Sequence, residues 1–402
     1  MELPQNYFDD LGRAALRFAG VTALLTALYF ALRAHLKRDR LARAFRWSLL
    51  ALIYVIVSAV VLNAFMTRWG FRGDASNHGF VQMLEHEAHR PFSYRVLSPA
   101  IVNAGAALVP GQLRARWQPW LLEKSPLLRY RAPYESWNPD KALKWHVAYG
   151  YLFACLLAAL FAARALTRTS ISASPLFADY APALALLLLP LTFLRGGYFY
   201  DFPELAFLFG CTLFAAKGRW TAFAILYPLA ILNKESNILL VVTFLAFAAS
   251  RLPRRRLLIH AGSQFAVGVL LVATVRFVFR DAGGGAAQPW FPLNVLFFLS
   301  PEWYAKFFTP FAPLIPIPRG INVFSLALLA FMVAWRWPAK PTPLRRLLLA
   351  NAATTLPLYL LFGFLDEIRA LSLLFPALFL HGCWALNDVY RENEPKTQTA
   401  ER

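Results

Sequence analysis

What most constrains this chain is a succession of eleven apolar runs, at 14–36, 47–66, 145–165, 178–194, 202–216, 220–233, 236–250, 257–279, 321–336, 346–363 and 370–387. A bilayer core of about 30 Å takes about 20 apolar residues to cross as a helix. Only helices and closed barrels satisfy every backbone N–H and C=O away from water. The recurrence of such runs along 402 residues predicts an all-α polytopic membrane protein of about eleven transmembrane helices, read as one integral-membrane domain over 1–402. Composition agrees: 58% of residues are hydrophobic and 16% charged, against about 25% charged in an ordinary soluble domain. That leaves too little polar surface to face water all round, and it excludes disordered, collagen-like, coiled-coil and disulfide-scaffold chains. Cys155, Cys211 and Cys383 lie inside apolar runs without metal spacing and read as small packing residues. The run 14–36 is too long for the apolar core of a signal peptide and precedes the basic cluster, so it reads as a span. Only Asn233-Lys234-Glu235-Ser236 separates the runs 220–233 and 236–250.

The net charge of +19 gathers between the runs. Loops 33–46, 164–168, 217–219, 251–256 and 336–346 fall on one side by alternation, and together they carry eighteen basic residues and one acid, Asp39. This positive-inside pattern places those loops and the C-terminal tail in the cytoplasm. The N-terminus, with Glu2, Asp9 and Asp10, falls outside. Topology thereby accounts for the charge: membrane lipids are expected partners and nucleic acid is not. A crossing at 94–110 would move Arg254-Arg255-Arg256 and Arg345-Arg346 outside. The stretch 67–144 therefore reads as one long external loop with interfacial or short re-entrant helices. Trp117, Trp120, Trp137 and Trp145 suit its water boundary. A second external loop, 280–320, carries Gly283-Gly284-Gly285. No Lys-Ser/Thr follows that triplet, so it reads as a flexible lid or linker, not a phosphate loop.

This topology was set by basic loops alone, yet it draws the unusual polar residues towards the external face. Asp74 and His78 follow the second run; Arg90, Tyr94 and Arg95 lie in RPFSYRVLSP; Arg195, Tyr198, Tyr200, Asp201 and Glu204 join the fourth and fifth runs. Lys234 and Glu235 sit at the break, and Asp366, Glu367 and Arg369 precede the last run. Ionisable groups near membrane depth cost a few kcal/mol each. Several on one face predict a shared polar pocket able to move protons or hold a phosphate. Each also has a plainer reading. Asp74 suits a helix N-cap as well as a catalytic carboxylate; Asp201 and Glu204 suit a helix start. Lys234 and Glu235 can pair with each other, Asp366, Glu367 and Arg369 can form an exposed turn, and Arg90 and Arg95 can hold lipid headgroups. His78, Glu85, His86 and His89 invite a metal, but no second cluster completes a recognised site, and Glu85 and Glu87 read as solvated.

The segments GDASNHGF, RPFSYRVLSP, YFYDFPELAFLFG, NKESNILL and LDEIRALSLLFP span positions 73 to 376, and in layout the chain resembles the GT-C superfamily of integral-membrane glycosyltransferases. The resemblance implies transfer of a hexosyl or pentosyl group from a polyprenyl-phosphate-linked donor to a lipid or glycan acceptor. It implies the extracytoplasmic face of the plasma (inner) membrane, and a place in cell-envelope glycan biosynthesis. Asp74 corresponds to the family's loop acid, the general base on the acceptor. Where family members carry a paired acidic motif this chain has that lone Asp, and an extra helix precedes the loop-bearing one. Lys234, Arg369 and Arg95 would hold the lipid phosphate; Tyr200, Asp201, Glu204, Asp366 and Glu367 would bond sugar hydroxyls; His78, Arg90, Tyr94 and Glu235 complete the substrate-binding set. No cofactor is implied beyond room for a divalent cation. Three rivals remain: a lipid-linked sugar flippase or transporter, an O-antigen-type polymerase or ligase, and a non-catalytic membrane assembly partner.

Overall fold

A computed structural model of the chain describes residues 39–72, 75–131, 137–193, 196–285, 289–308, 317–318 and 320–392, with isolated positions 23, 26 and 27. Asp74, Arg195 and nearly all of the run 14–36 lie outside these residues. The regular secondary structure of the described residues is helical, apart from one two-residue antiparallel pair, β1 (Phe307–Phe308) with β2 (Ile317–Pro318). Its fourteen α-helices are α1 (Asp39–Arg68), α2 (Phe80–Leu84), α3 (Leu97–Ala107), α4 (Gly111–Glu123), α5 (Pro139–Ser170), α6 (Pro175–Leu188), α7 (Asp201–Ala216), α8 (Trp220–Asn233), α9 (Leu240–Ala248), α10 (Arg254–Val278), α11 (Phe291–Leu299), α12 (Val323–Ala334), α13 (Thr342–Phe362) and α14 (Phe375–Glu392). Ten of the eleven apolar runs fall on these helices and the 3-10 turns joined to them.

Several starts are dictated locally. Asn138, Ser174 and Asn322 accept the N–H of Lys141, Phe177 and Phe324, satisfying donors that a helix start leaves open. Pro139 and Pro175 follow two of these caps, at a position where the missing N–H is harmless. Four segments are long and apolar enough to cross a membrane: Arg43–Arg68, Pro139–Ser170, Arg254–Val278 and Ile368–Arg391. α10 shows the membrane character most openly, with Leu258, Phe265, Leu270, Phe277 and Val278 all more than half exposed. A helix apolar all round with so bare a flank is covered by lipid far more cheaply than by water.

The core runs through α1, α5, α7, α8 and α9, where Tyr54, Leu62, Leu152, Leu156, Phe202, Leu208, Phe223 and Phe244 are fully buried. The expected external loop 67–144 carries only short helices, among them α3 of 11 residues. At 1.5 Å per residue α3 spans about 16 Å, half a bilayer. Trp117 and Trp120 on α4 are exposed, as a boundary position asks. Trp145 departs from that expectation. It is buried, because inside α5 its ring packs against Phe71, Phe80 and Trp137.

Candidate functional site

α7 opens with Tyr198-Phe199-Tyr200-Asp201-Phe202-Pro203-Glu204, and its first turn organises the polar cluster. Asp201 uses one oxygen locally, accepting the Tyr198 N–H at 2.9 Å, and presents the other to Arg369 Nη1 at 3.3 Å. Asp201 thus serves the helix start and also meets Arg369. Glu204 follows one turn later and is 2% exposed. Its two carboxylate oxygens accept from Lys234 Nζ at 2.9 and 2.8 Å, and Ser372 Oγ donates to one of them at 2.6 Å.

The pairing of Lys234 corrects one expectation. Lys234 and Glu235 are neighbours in sequence but do not pair. Lys234 ends α8 with extended backbone, φ −157° and ψ 124°, which sends consecutive side chains to opposite sides. Lys234 therefore turns to Glu204, while Glu235 faces Arg95, with Oε2 3.7 Å from Arg95 Nε. Asn233, just before the break, ties it to α7 by donating to the Tyr200 carbonyl at 3.1 Å, and Ser98 donates to Asn233 at 2.7 Å.

Two arginines from distant parts of the chain meet at the Tyr200 hydroxyl. Arg95 donates through Nη1, and its guanidinium lies 4.2 Å over the Tyr200 ring and 4.8 Å over Phe92. Arg369 donates to the same oxygen at 3.5 Å, bonds Glu367, and stacks 4.4 Å over Tyr198. Arg95 Nε, Arg369 Nε and Glu235 Oε2 are buried without a hydrogen-bond partner. Such atoms are rare in native structures and call for an explanation. His78 reaches this cluster by stacking on Phe92 at 4.8 Å and meeting Tyr198 at 5.6 Å. Arg72 also lies over Tyr198, at 5.7 Å. Burial pushes the Tyr198 phenol above its ordinary range, against the opposing pull of Arg369, Arg72 and Arg95.

The turn before the last helix is not exposed. Asp366 is 3% exposed, and Asn294 of α11 holds the backbone around it, accepting the Leu365 N–H at 2.9 Å and donating to the carbonyl of Gly363 at 2.7 Å. These bonds fix Leu365 at φ +49°, a left-handed conformation uncommon outside glycine. The 3-10 segment Ile368–Leu374 then carries Arg369 and Ser372 to α7.

Two other expected residues lie to one side. Tyr94 and Glu235 line a cleft with Ile231 of α8 and Leu271, Val272, Val275 and Arg276 of α10, and the Arg276 guanidinium sits 5.7 Å over the Tyr94 ring. Arg90 is drawn elsewhere: its N–H donates to the Gly283 carbonyl at 2.8 Å and its Nη2 to that of Gly284 at 2.6 Å. The glycine loop expected to be a free lid is therefore fastened, through residue 284, to the segment before Arg95. Glycine is favoured at Gly284, where φ is +85°, and a Cβ at Gly283 would lie 2.7 Å from the His89 ring, which would have to shift. The histidines diverge, His78 to Phe92, His86 to Phe279 and His89 to Gly283, and Glu85 and Glu87 are exposed. Among the described residues no three His, Cys, Asp or Glu side chains gather as a metal site requires.

Sequence reasoning missed Ser372, Asn233 and Ser98 as members of the cluster. Asn233 had a signal, since it opens the polar break, and Ser372 follows Arg369 by one 3-10 turn. Ser98 sits in an apolar helix and carried none. Comparison with protein families, with characterised proteins and with solved structures finds no match to this chain.

Proposed function

We propose that this chain is a multi-pass glycosyltransferase of GT-C type, with about eleven spans, its N-terminus outside and its C-terminus cytoplasmic. It moves a sugar from a polyprenyl-phosphate-linked donor to a lipid or glycan acceptor at the extracytoplasmic face of the plasma membrane. One observation carries this reading: Arg95 and Arg369 converge on Tyr200 and each buries an Nε–H without an acceptor. Guanidinium forks match phosphate oxygens. The carboxylates of Asp201 and Glu367 beside them suit sugar hydroxyls. The cleft at Tyr94, Glu235 and Arg276 lies against α10, whose bare apolar flank suits a prenyl chain.

In the reaction the bond from the anomeric carbon to the donor phosphate breaks as the acceptor oxygen attacks, through an oxocarbenium-like transition state. Asp74 takes the acceptor proton, and Arg95 and Arg369 stabilise the leaving phosphate. Lys234 does not share that task, because both oxygens of Glu204, which Ser372 also bonds, hold it in place. The test is transfer from radiolabelled polyprenyl-phosphate sugars by purified protein in lipid, using a bacterial lipid extract as acceptor pool. Asp74→Asn is expected to abolish transfer while donor binding persists; full activity in that variant would remove Asp74 as the base.

A second reading, a lipid-linked sugar transporter, is favoured by the break at 234–239, where a helix ends beside a buried ion pair. Movement of intact labelled lipid across a vesicle membrane, with no product formed, would select it.

A further inference from the structure

The other end of the bundle holds a second buried charge cluster that plays no part in the proposed transfer. Asp179, near the start of α6, is 2% exposed. Arg164 Nε and Arg168 Nη2 of α5 each donate to its Oδ1 at 2.7 Å, and Arg46 of α1 donates to Oδ2 from Nε at 3.1 Å and Nη2 at 2.5 Å. Tyr54 anchors the same turn by donating to the Asp179 carbonyl at 2.8 Å. The 22 residues from Arg46 to Arg68 rise about 33 Å, one hydrocarbon thickness. Arg68 leads into Arg72 and the Tyr198 cluster, so the arginines stand at the opposite membrane boundary. Trp47, half exposed and stacked at 4.2 Å on Arg164, fits such a boundary.

One carboxylate does not need three guanidiniums. Asp179 is served by a single fork, and among the described residues the two further cations leave a local surplus of two positive charges. Of the three arginines, Arg164 is buried, whereas the side chains of Arg46 and Arg168 are 36% and 39% exposed. Arg46 Nη1 and the Nε and Nη1 of Arg168 have no protein acceptor among the described residues. A shallow cleft between α1 and α6 opens beside them, lined by Arg46, Leu49, Leu50, Leu176, Asp179 and Tyr180. It thus pairs donors with an apolar wall, and Leu176 is half exposed at its rim.

We propose that Arg46 and Arg168, held apart by Asp179 and backed by Arg164, bind a phosphate-bearing anion at this end of the bundle, the phosphodiester of an anionic phospholipid with its acyl chains against Leu49 and Leu176. Asp179 acts as the spacer that keeps the guanidiniums splayed. The site does not depend on the transferase reading.

The test uses full-length protein in neutral detergent, titrated with phosphatidylglycerol, phosphatidylcholine or inorganic phosphate and followed by native mass spectrometry. Arg46→Gln with Arg168→Gln leaves the Arg164–Asp179 pair to hold the helices. It is expected to weaken phosphatidylglycerol binding by about tenfold or more, the loss of two charge-assisted contacts. Phosphatidylcholine binding stays unchanged, and so does phosphatidylglycerol binding in the control Arg345→Gln with Arg346→Gln. Displacement of phosphatidylglycerol by millimolar inorganic phosphate would make the free anion a ligand of the same site; displacement by lipid alone would assign the headgroup together with its chains. Unchanged phosphatidylglycerol binding in the double variant, or an equal loss in the control, would overturn the proposal. Should the double variant fail to fold, Arg168→Gln alone gives the same decision with a smaller expected loss.

Discussion

Replacing Glu204 by Gln removes one charge from a pair that is almost out of reach of water. The side chains are 2% exposed for Glu204 and 11% for Lys234, and both carboxylate oxygens lie within 2.9 Å of Nζ. Solvent therefore neither screens the pair nor rescues the survivor. Each charge-assisted contact is worth roughly 1.5–3 kcal/mol net, and an uncompensated buried charge costs about 3–5 kcal/mol once its partner is gone. Glu204→Gln is expected to destabilise the protein by that amount, and so is Lys234→Met, although Ser372 eases the second by still donating to Glu204. The double variant behaves differently. It removes both charges and leaves side chains of similar volume, and such replacements are near neutral. A double-mutant cycle read by equilibrium unfolding in mixed micelles should give a coupling of at least about 3 kcal/mol in favour of the pair. The double variant should also retain transfer activity, because the pair fixes α7 to the end of α8 and does not touch substrate. Additive single effects would refute the structural argument, and a stable but inactive double variant would refute the holding role.

Arg95→Gln is expected to raise the KM for a polyprenyl-phosphate donor by about tenfold or more, the loss of a charge-assisted contact, and to lower the melting temperature as well, because its bond to Tyr200 goes with it; steady-state kinetics on reconstituted protein decide the first. Tyr200→Phe strips both guanidiniums of their shared oxygen and should cost about 1–3 kcal/mol, read as a lower melting temperature in detergent. The raised phenol of Tyr198 sets a pH dependence of known sign. Its neutral form is favoured in the fold, so its contribution is intact below the ordinary tyrosine value near 10 and is lost as pH climbs through the higher folded value. Stability should therefore show no dependence on this group between pH 6 and 8 and should fall in strong alkali, and the fall should shrink in Tyr198→Phe when melting is followed against pH.

The helices were legible because burial in lipid demands long apolar runs and caps punctuate them. What stayed hidden was partner choice. Lys234 next to Glu235 looks like a pair on paper, and only the extended residue that ends α8 separates them. Asp179 went unremarked inside PLFADYAPALALLL, although it faces arginines that the charge pattern had assigned to the cytoplasmic side. A lone acid in an apolar helix has no local meaning; its meaning comes from α1 and α5, which sequence order places far away. The partners of Arg90 were hidden for a related reason. Its partners are carbonyl oxygens, at Gly283 and Gly284, and backbone acceptors leave no trace in a residue pattern. Asp74, the proposed base, lies outside the described residues.

The cations of the Tyr200 cluster are not equivalent, and the differences say which of them can turn to a substrate. Lys234, Arg95 and Arg369 face Asp201, Glu204, Glu235 and Glu367, so the described network carries no positive surplus to draw an anion by field alone. A phosphate must displace an existing partner. Lys234 holds both oxygens of Glu204 and cannot leave without stranding a carboxylate buried at 2% exposure. Arg369 is bonded to Asp201, Glu367 and Tyr200 and can offer only its Nε. Arg95 is the loosest, since its acid partner Glu235 stands at 3.7 Å without a hydrogen bond and is the more exposed of the two. It is also the cation nearest in sequence to Tyr94, which lines the apolar cleft. An incoming phosphate would thus exchange with Glu235 and leave the other pairs intact. The Asp179 cluster has the opposite balance, three guanidiniums to one carboxylate, and takes an anion without displacing anything. On the proposed readings, the same residue types would serve a site built for exchange at one end of α1 and a site built for retention at the other.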